Sequence, residues 1–176
     1  HIAGPAGRRQ DTVEPFTNYF VGRVQQDWRH GNDQLGAMVT SVNRSLDDPH
    51  LLFLHRSAVA DGFDLFHRWH DRQWYAALNM LGSRSAGAPP APIATQRASA
   101  RYFQRPDNTE ATLDSSRTSL LGHAGSLRLG HSKGQGLRFE SGVAWRSPGF
   151  EINDMGFLRR ADEINQFGWA GYSIRK

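Results

Sequence analysis

The residues best suited to chemistry in this 176-residue sequence gather near its C-terminal end. Glu151, Asn153 and Asp154 place three oxygen-bearing side chains within four residues of a segment rich in turn-forming residues. Such oxygens suit Ca²⁺, although their spacing is not that of an EF-hand. The alternative, which we favour, is a structural loop in which Asn153 and Asp154 cap turns while Arg159 and Arg160 pair with nearby acids. These five residues are the predicted binding residues.

No pattern in the sequence predicts catalysis. The chain has no cysteine, which excludes thiol nucleophiles, zinc–thiolate sites and disulfides. His67 and His70 are three residues apart, so on a strand they point to opposite faces and cannot chelate one ion. Asp61, Asp64 and Glu140 are acids of the kind that hydrolases use, but nothing in their spacing brings them together. We therefore predict no catalytic residue, no metal and no cofactor.

The charge balance is basic, and it comes almost entirely from arginine. Lysine and arginine together number 21 against 17 acids, and Lys133 and Lys176 are the two lysines. Arginine binds carboxylate, phosphate or sulfate in a bidentate way. The charges are spread along the chain, which argues against a nucleic-acid partner. The charged residues expected on the polar faces of strands, lining an interior or bracing it, are Arg23, Asp64, Arg68, Arg138, Glu140 and Arg146.

Hydrophobic periodicity predicts strands throughout. Apolar and polar residues alternate with a period of two, most clearly in residues 137–146, where Leu137, Phe139 and Val143 share one face. The least periodic run, residues 93–104, is still counted as a strand. The eight predicted strands cover residues 16–29, 34–44, 59–69, 74–84, 93–104, 119–131, 137–146 and 164–173.

The domain organisation follows from these runs. Residues 1–14 are a polar lead-in, and residues 15–176 form a single antiparallel β domain. The fold class is all-β, an antiparallel meander of about eight strands that forms an outer-membrane-type β-barrel or part of a larger one. The longest apolar run is Leu51–Leu54, so no helix of the sequence can cross a membrane.

Alternation alone does not separate a membrane barrel from a soluble sheet. Aromatic residues stand at the ends of several apolar faces, for example Phe16 and Trp28, and Phe63 and Trp69. This arrangement is typical of the aromatic girdles of outer-membrane barrels. A soluble β-sandwich that binds carbohydrate through exposed Trp and Tyr, and an outer-membrane hydrolase, remain the alternatives.

Three segments carry a family resemblance: LGAMVT at residues 35–40, YFQRPD at 102–107 and SPGFEINDMGFLRR at 147–160. They resemble the C-terminal barrel-like region of bacterial proteins that begin with a family-nine-type carbohydrate-binding domain. The resemblance implies a barrel in the bacterial outer membrane with no assigned activity. The alternative location, periplasmic or extracellular, goes with the alternative of a soluble domain. The resemblance also implies membrane lipid and an oligo- or polysaccharide as partners. The family region is longer, so this chain matches an internal stretch of it.

Overall fold

A computed structural model describes residues 2–4, 7–9, 12–107, 109, 111–132 and 134–174. Two three-residue strands, β1 (Ile2–Gly4) and β2 (Gly7–Arg9), pair antiparallel inside the segment interpreted as a polar lead-in.

Within the described residues, seven further strands form one antiparallel sheet, and each strand pairs with the next along the chain. This confirms the prediction of an all-β antiparallel meander. In the described part of the chain, β3 and β9 do not pair with each other, so the sheet is open. The strands are β3 (Thr17–Trp28), β4 (Asp33–Arg44), β5 (Ser57–Trp69), β6 (Trp74–Ala86), β7 (Ser119–Ser132), β8 (Gly136–Arg146) and β9 (Glu163–Ser173).

The register of the sheet divides its side chains between two faces. Residues paired across strands share a face, and successive residues along a strand alternate between faces. Phe63 pairs with Ala37 on one side and Met80 on the other, and this row belongs to what we call the apolar face. Asp64 pairs with Gly36 and Asn79, one residue further along, on the polar face.

The connections differ sharply at the two ends of the sheet. At the turn end, β3 and β4, β5 and β6, and β7 and β8 are joined through residues 29–32, 70–73 and 133–135. At the loop end, much longer segments join the strands: residues 45–56, which include a 3-10 turn at Pro49–Leu51, residues 87–118, and residues 147–162. We call residues 147–162 the inner loop, because they fold back over the polar face.

The predicted strand over residues 93–104 is wrong. This region begins with an α-helix, α1 (Pro90–Arg97), and continues as turns. Proline lacks an N–H to donate, so it is tolerated in the first turn of a helix, where Pro90 and Pro92 lie. The helix buries Thr95 and Gln96 on the side that faces the protein.

The buried core lies at the loop end of the sheet. Phe150 and Leu158 of the inner loop pack with Ala124 of β7, on the polar face, and with Ala161. Val42 and Leu120, also on the polar face, are fully buried beneath the long loops. The packing that holds this protein together is therefore between loops and one face of the sheet, and the apolar face takes no part in it.

Candidate functional site on the polar face

Charged side chains are segregated between the two faces of the sheet. Within β3–β9 the apolar face carries Asp33, Asp61 and Arg84. All the predicted lining residues lie on the polar face, together with several that were not predicted. The charged residues of the polar face are Arg23, Asp27, Arg44, Asp64, Arg68, Arg128, Arg138, Glu140, Arg146 and Glu163.

Some of these charges brace neighbouring strands. Arg23 Nη2 donates to Asp64 Oδ1 at 3.1 Å, which links β3 to β5 across the intervening β4. A Cβ atom at Gly36, between them, would lie 2.6 Å from the Asp64 oxygens, so only a glycine leaves room for this carboxylate. At the edge of the sheet, Arg146 of β8 forms a close ion pair with Glu163 of β9.

A second group of polar-face residues lies towards the turn end. The hydroxyl of Tyr75 donates to the carboxylate of Glu140, which connects β6 to β8 across Gly130. The Arg68 guanidinium lies 4.8 Å from the centroid of the Phe66 ring, a cation–π contact. The polar face is therefore a surface of paired and unpaired charges that runs the length of the strands.

The inner loop crosses this face at the loop end. The backbone N–H of Glu151 donates to Ser83 Oγ at 3.0 Å, and Phe150 lies against Gly122. Ile152 and Met155 reach further, lining a cavity with Met38 of β4. The loop thus lies across β4–β7 instead of extending away from the sheet.

One buried ion pair fixes the first half of the inner loop. Arg101, in the turns after α1, donates from Nη2 to Glu151 Oε2 at 2.6 Å and to the carbonyl of Phe150 at 3.0 Å. The Arg101 side chain is completely buried and that of Glu151 is 5% exposed. A buried charge is stable only when it is paired, so the Glu151 carboxylate is occupied by its ion pair with Arg101.

A second polar cluster fixes the middle of the loop. Asp154 accepts from Arg44 Nη1 at 2.6 Å and lies 2.7 Å from His55 Nδ1, while His55 Nε2 lies 3.0 Å from Thr95 Oγ1 of α1. Burial raises the pKa of the Asp154 carboxyl, but the hydrogen bonds and charges of His55 and Arg44 outweigh it and hold that pKa below its usual range. This cluster joins all three long loops to the end of β4.

These contacts decide what the predicted loop residues can bind. The side-chain oxygen of Asn153 accepts the backbone N–H of Leu158 at 2.7 Å, and the backbone N–H of Asn153 donates to Glu151 Oε1 at 2.6 Å. With Glu151 and Asp154 held by basic partners, their oxygens do not converge on a cation site. Within the residues that the structure describes, no group of three His, Asp or Glu side chains is placed to hold a metal ion.

Arg159 and Arg160 are not engaged by partners in the way that Glu151 and Asp154 of the same loop are. Both side chains are exposed, and within the described chain neither forms an ion pair, in contrast to the expectation that they pair with nearby acids. They line a cavity of about 630 Å³ between the inner loop and strands β6–β9, together with Arg146 and Glu163. The two unpaired arginines therefore border a cavity of small-molecule size on the polar face.

The candidate hydrolytic acids are not brought together. Asp61 lies on the apolar face and Asp64 on the polar face. Glu140 is three strands from Asp64, about 14 Å along a sheet with 4.8 Å between strands, which exceeds the separation that paired glycosidase carboxylates use. Each of the two polar-face acids also has its own partner, Arg23 or Tyr75.

Two kinds of charged residue at the candidate site were not predicted from the sequence. Arg128 could have been found, because Leu127 and Leu129 alternate around it on β7 and leave it on the opposite face. Arg101 and Arg44 could not, since their acidic partners lie 50 and 110 residues away in the chain. No local spacing records such contacts.

The fold and the site together define an antiparallel sheet with one apolar face, one arginine-rich face and an inward-folded loop. No family model, curated protein or solved structure matches the chain. Among the described residues, no helix has the length and apolar character needed to span a bilayer.

Proposed function

We propose that this chain forms part of the wall of a β-barrel in the bacterial outer membrane, with its apolar face against lipid and its polar face towards the interior. The observation that carries the proposal is the uncovered apolar face. Phe63, Leu65, Leu127 and Leu129 are each between 39% and 47% exposed, and in the described residues no layer packs on them. A water-soluble sheet hides such a face.

The strand lengths support the same proposal. The strands of the sheet have 11 to 14 residues, whereas strands of soluble proteins most often have about five or six. At about 3.3 Å per residue they extend roughly 36 to 46 Å. With the tilt of about 45° found in membrane barrels, they cover roughly 25 to 33 Å, close to the thickness of a hydrocarbon core.

An aromatic row at the turn end marks one proposed boundary of the membrane. Trp69 and Trp74 stack with their centroids 6.1 Å apart, and Trp74 contacts His131 at 4.8 Å and Phe139 at 5.5 Å. All four side chains lie on the apolar face. Amphipathic rings of this kind favour the interface between lipid and water.

Closing the barrel requires more than the strands described. In the described part of the chain, β3 and β9 each have one edge without a strand partner. Unpaired backbone groups in lipid cost several kcal/mol each, roughly, so an open edge does not persist in a bilayer. We propose that further strands complete the wall, as the resemblance to a longer family region implies.

In the proposed barrel, the residues that line the interior determine what the protein does. The inner loop lies across the polar face and would narrow the barrel at its loop end, and arginines line the remaining surface. We propose a pore, transporter or membrane anchor that serves glycan binding or uptake; the glycan link comes from the resemblance.

A solubility experiment tests this proposal. Size-exclusion chromatography and far-UV circular dichroism are run on the purified full-length protein, including the strands that complete the wall, in buffer and in mild detergent. We expect aggregation in buffer and a folded, β-rich species in detergent. A monodisperse β-rich monomer in buffer alone overturns the membrane proposal and brings forward the alternative of a soluble carbohydrate-binding domain.

A further inference from the structure

We infer that the cavity between the inner loop and β6–β9 binds an organic anion, whose carboxylate or sulfate group lies against Arg159 and Arg160. The inference deepens the proposed function, on which it rests for placing this cavity inside a barrel. It names the chemical class of solute that the interior would select.

The charge around the cavity leaves these two guanidinium groups free. Arg146, which lines the cavity from β8, forms an ion pair with Glu163 of β9. The inner loop contains three acids, and each has a basic partner. Glu151 is held by Arg101, and Asp154 by Arg44 and His55. Asp162 is held by Arg105 at 2.8 Å. Arg159 and Arg160 therefore meet a ligand with their full donor capacity, and arginine pairs with oxyanions in a bidentate geometry.

The rest of the cavity suits the body of an organic molecule better than a small inorganic ion. Leu81, Ile152 and Leu158 contribute apolar surface, and Ser126 contributes a hydroxyl. Phe157 also lines the cavity and is 79% exposed, so its ring is accessible to the apolar face of a sugar or similar group. A volume of about 630 Å³ is within the range of small-molecule sites.

The packing of the inner loop does not depend on the two arginines. Phe150, Leu158 and Ala161 anchor the inner loop to Ala124, so the loop does not need Arg159 or Arg160 for its own packing. Removing these arginines should therefore change binding without unfolding the loop.

Isothermal titration calorimetry on the full chain in detergent tests the inference. The probes are trigalacturonate, a sulfated trisaccharide, neutral maltotriose and inorganic sulfate. We expect at least one charged trisaccharide to bind more tightly than maltotriose and sulfate. Arg159→Gln and Arg160→Gln should each weaken that binding about tenfold, because each removes a charge-assisted bidentate contact.

The matched control is Arg97→Gln. Arg97 is exposed on α1, lies outside the cavity and has no ion pair within the described chain. We expect its affinity for the charged trisaccharides to equal that of the parent chain. Circular dichroism of every variant verifies the fold.

Three results overturn the inference: no binding of either charged trisaccharide, equal binding of maltotriose or sulfate, or equal losses in Arg97→Gln and Arg159→Gln. Any of these in a chain that folds in detergent leaves the membrane proposal standing. Conversely, arginine-dependent binding by a chain that is a folded monomer in plain buffer supports the anion site and overturns the membrane proposal.

Discussion

Asp154 and Arg44 are 110 residues apart in the sequence, and their side chains lie 2.6 Å apart. This contact ties the middle of the inner loop to the last residue of β4, on the polar face of the sheet. Together with the buried pair of Arg101 and Glu151, it makes the loop part of the sheet's interior surface. The structure of the polar face at the loop end therefore depends on a few long-range ion pairs.

Removing Glu151 should unfold the loop end. Glu151→Ala leaves the fully buried Arg101 guanidinium without its counter-ion, and breaking a buried pair in this way costs about 3–5 kcal/mol. Urea unfolding in detergent, followed by tryptophan fluorescence, measures the free energy of unfolding. Glu14→Ala, at an exposed site, is the control. A loss below about 1 kcal/mol for Glu151→Ala would show that the pair does not hold the loop.

Acid should release the inner loop through Asp154. Because the pKa of Asp154 is lower in the folded state than its ordinary value of 3.8, docking is favoured above that pH and is lost as pH falls through the lower folded-state pKa. A bimane dye on Met155→Cys reports the environment of the loop between pH 6 and pH 2.5.

The variant Asp154→Asn, carrying the same dye, is the comparison for this titration. It leaves Arg44 and His55 without a carboxylate, so we expect a loosened loop already at pH 6 and no further step on acidification. An unchanged acid transition in Asp154→Asn would assign the release to another group.

Gly122 should be intolerant of any side chain. A Cβ atom there would lie 2.1 Å from the backbone nitrogen of Phe150 and 2.4 Å from the carbonyl carbon of Gly149, and backbone atoms cannot turn aside. We expect Gly122→Ala to destabilise the protein by about 1–3 kcal/mol in urea unfolding. Gly134→Ala is the matched control, since nothing lies within 4 Å of its Cβ position, and it should change stability by less than about 0.5 kcal/mol. Equal effects would contradict the docked position of the inner loop.

Two adjacent residues of β8 should respond differently to arginine. Val143 lies on the apolar face and Ala144 on the polar face. If the apolar face meets lipid, Val143→Arg at mid-depth should cost about 2–4 kcal/mol of folding free energy in lipid vesicles, and Ala144→Arg much less. Equal costs would mean that the faces or their surroundings are wrongly assigned.

The strand pattern could be predicted because it is local. In β8, for example, Leu137, Phe139 and Val143 alternate with polar or small residues, and a period of two fixes which residues share a face. The predicted run of residues 74–84 likewise begins where β6 begins, at Trp74. Such alternation survives folding because the sheet imposes the same period.

The helix and the loop contacts could not be predicted for different reasons. Residues 90–97 form fewer than three turns, and proline is common both in loops and at a helix N-terminus, so the prolines near the start of α1 do not distinguish the two. The positions of Arg101, Arg44 and His55 follow from how three long loops pack together. Sequence spacing carries no signal for packing between segments 50 or more residues apart.

Spin labels on β7 test the central claim, that one face of the sheet contacts lipid, most directly. The chain has no cysteine, so single cysteines at Ser126, Leu127, Arg128 and Leu129 can be labelled without a background. In lipid vesicles, collision rates with oxygen, which concentrates in lipid, and with a water-soluble nickel chelate are measured by electron paramagnetic resonance. We predict high oxygen and low nickel accessibility at Leu127 and Leu129, and the reverse at Ser126 and Arg128. Equal nickel accessibility at all four positions would contradict the claim.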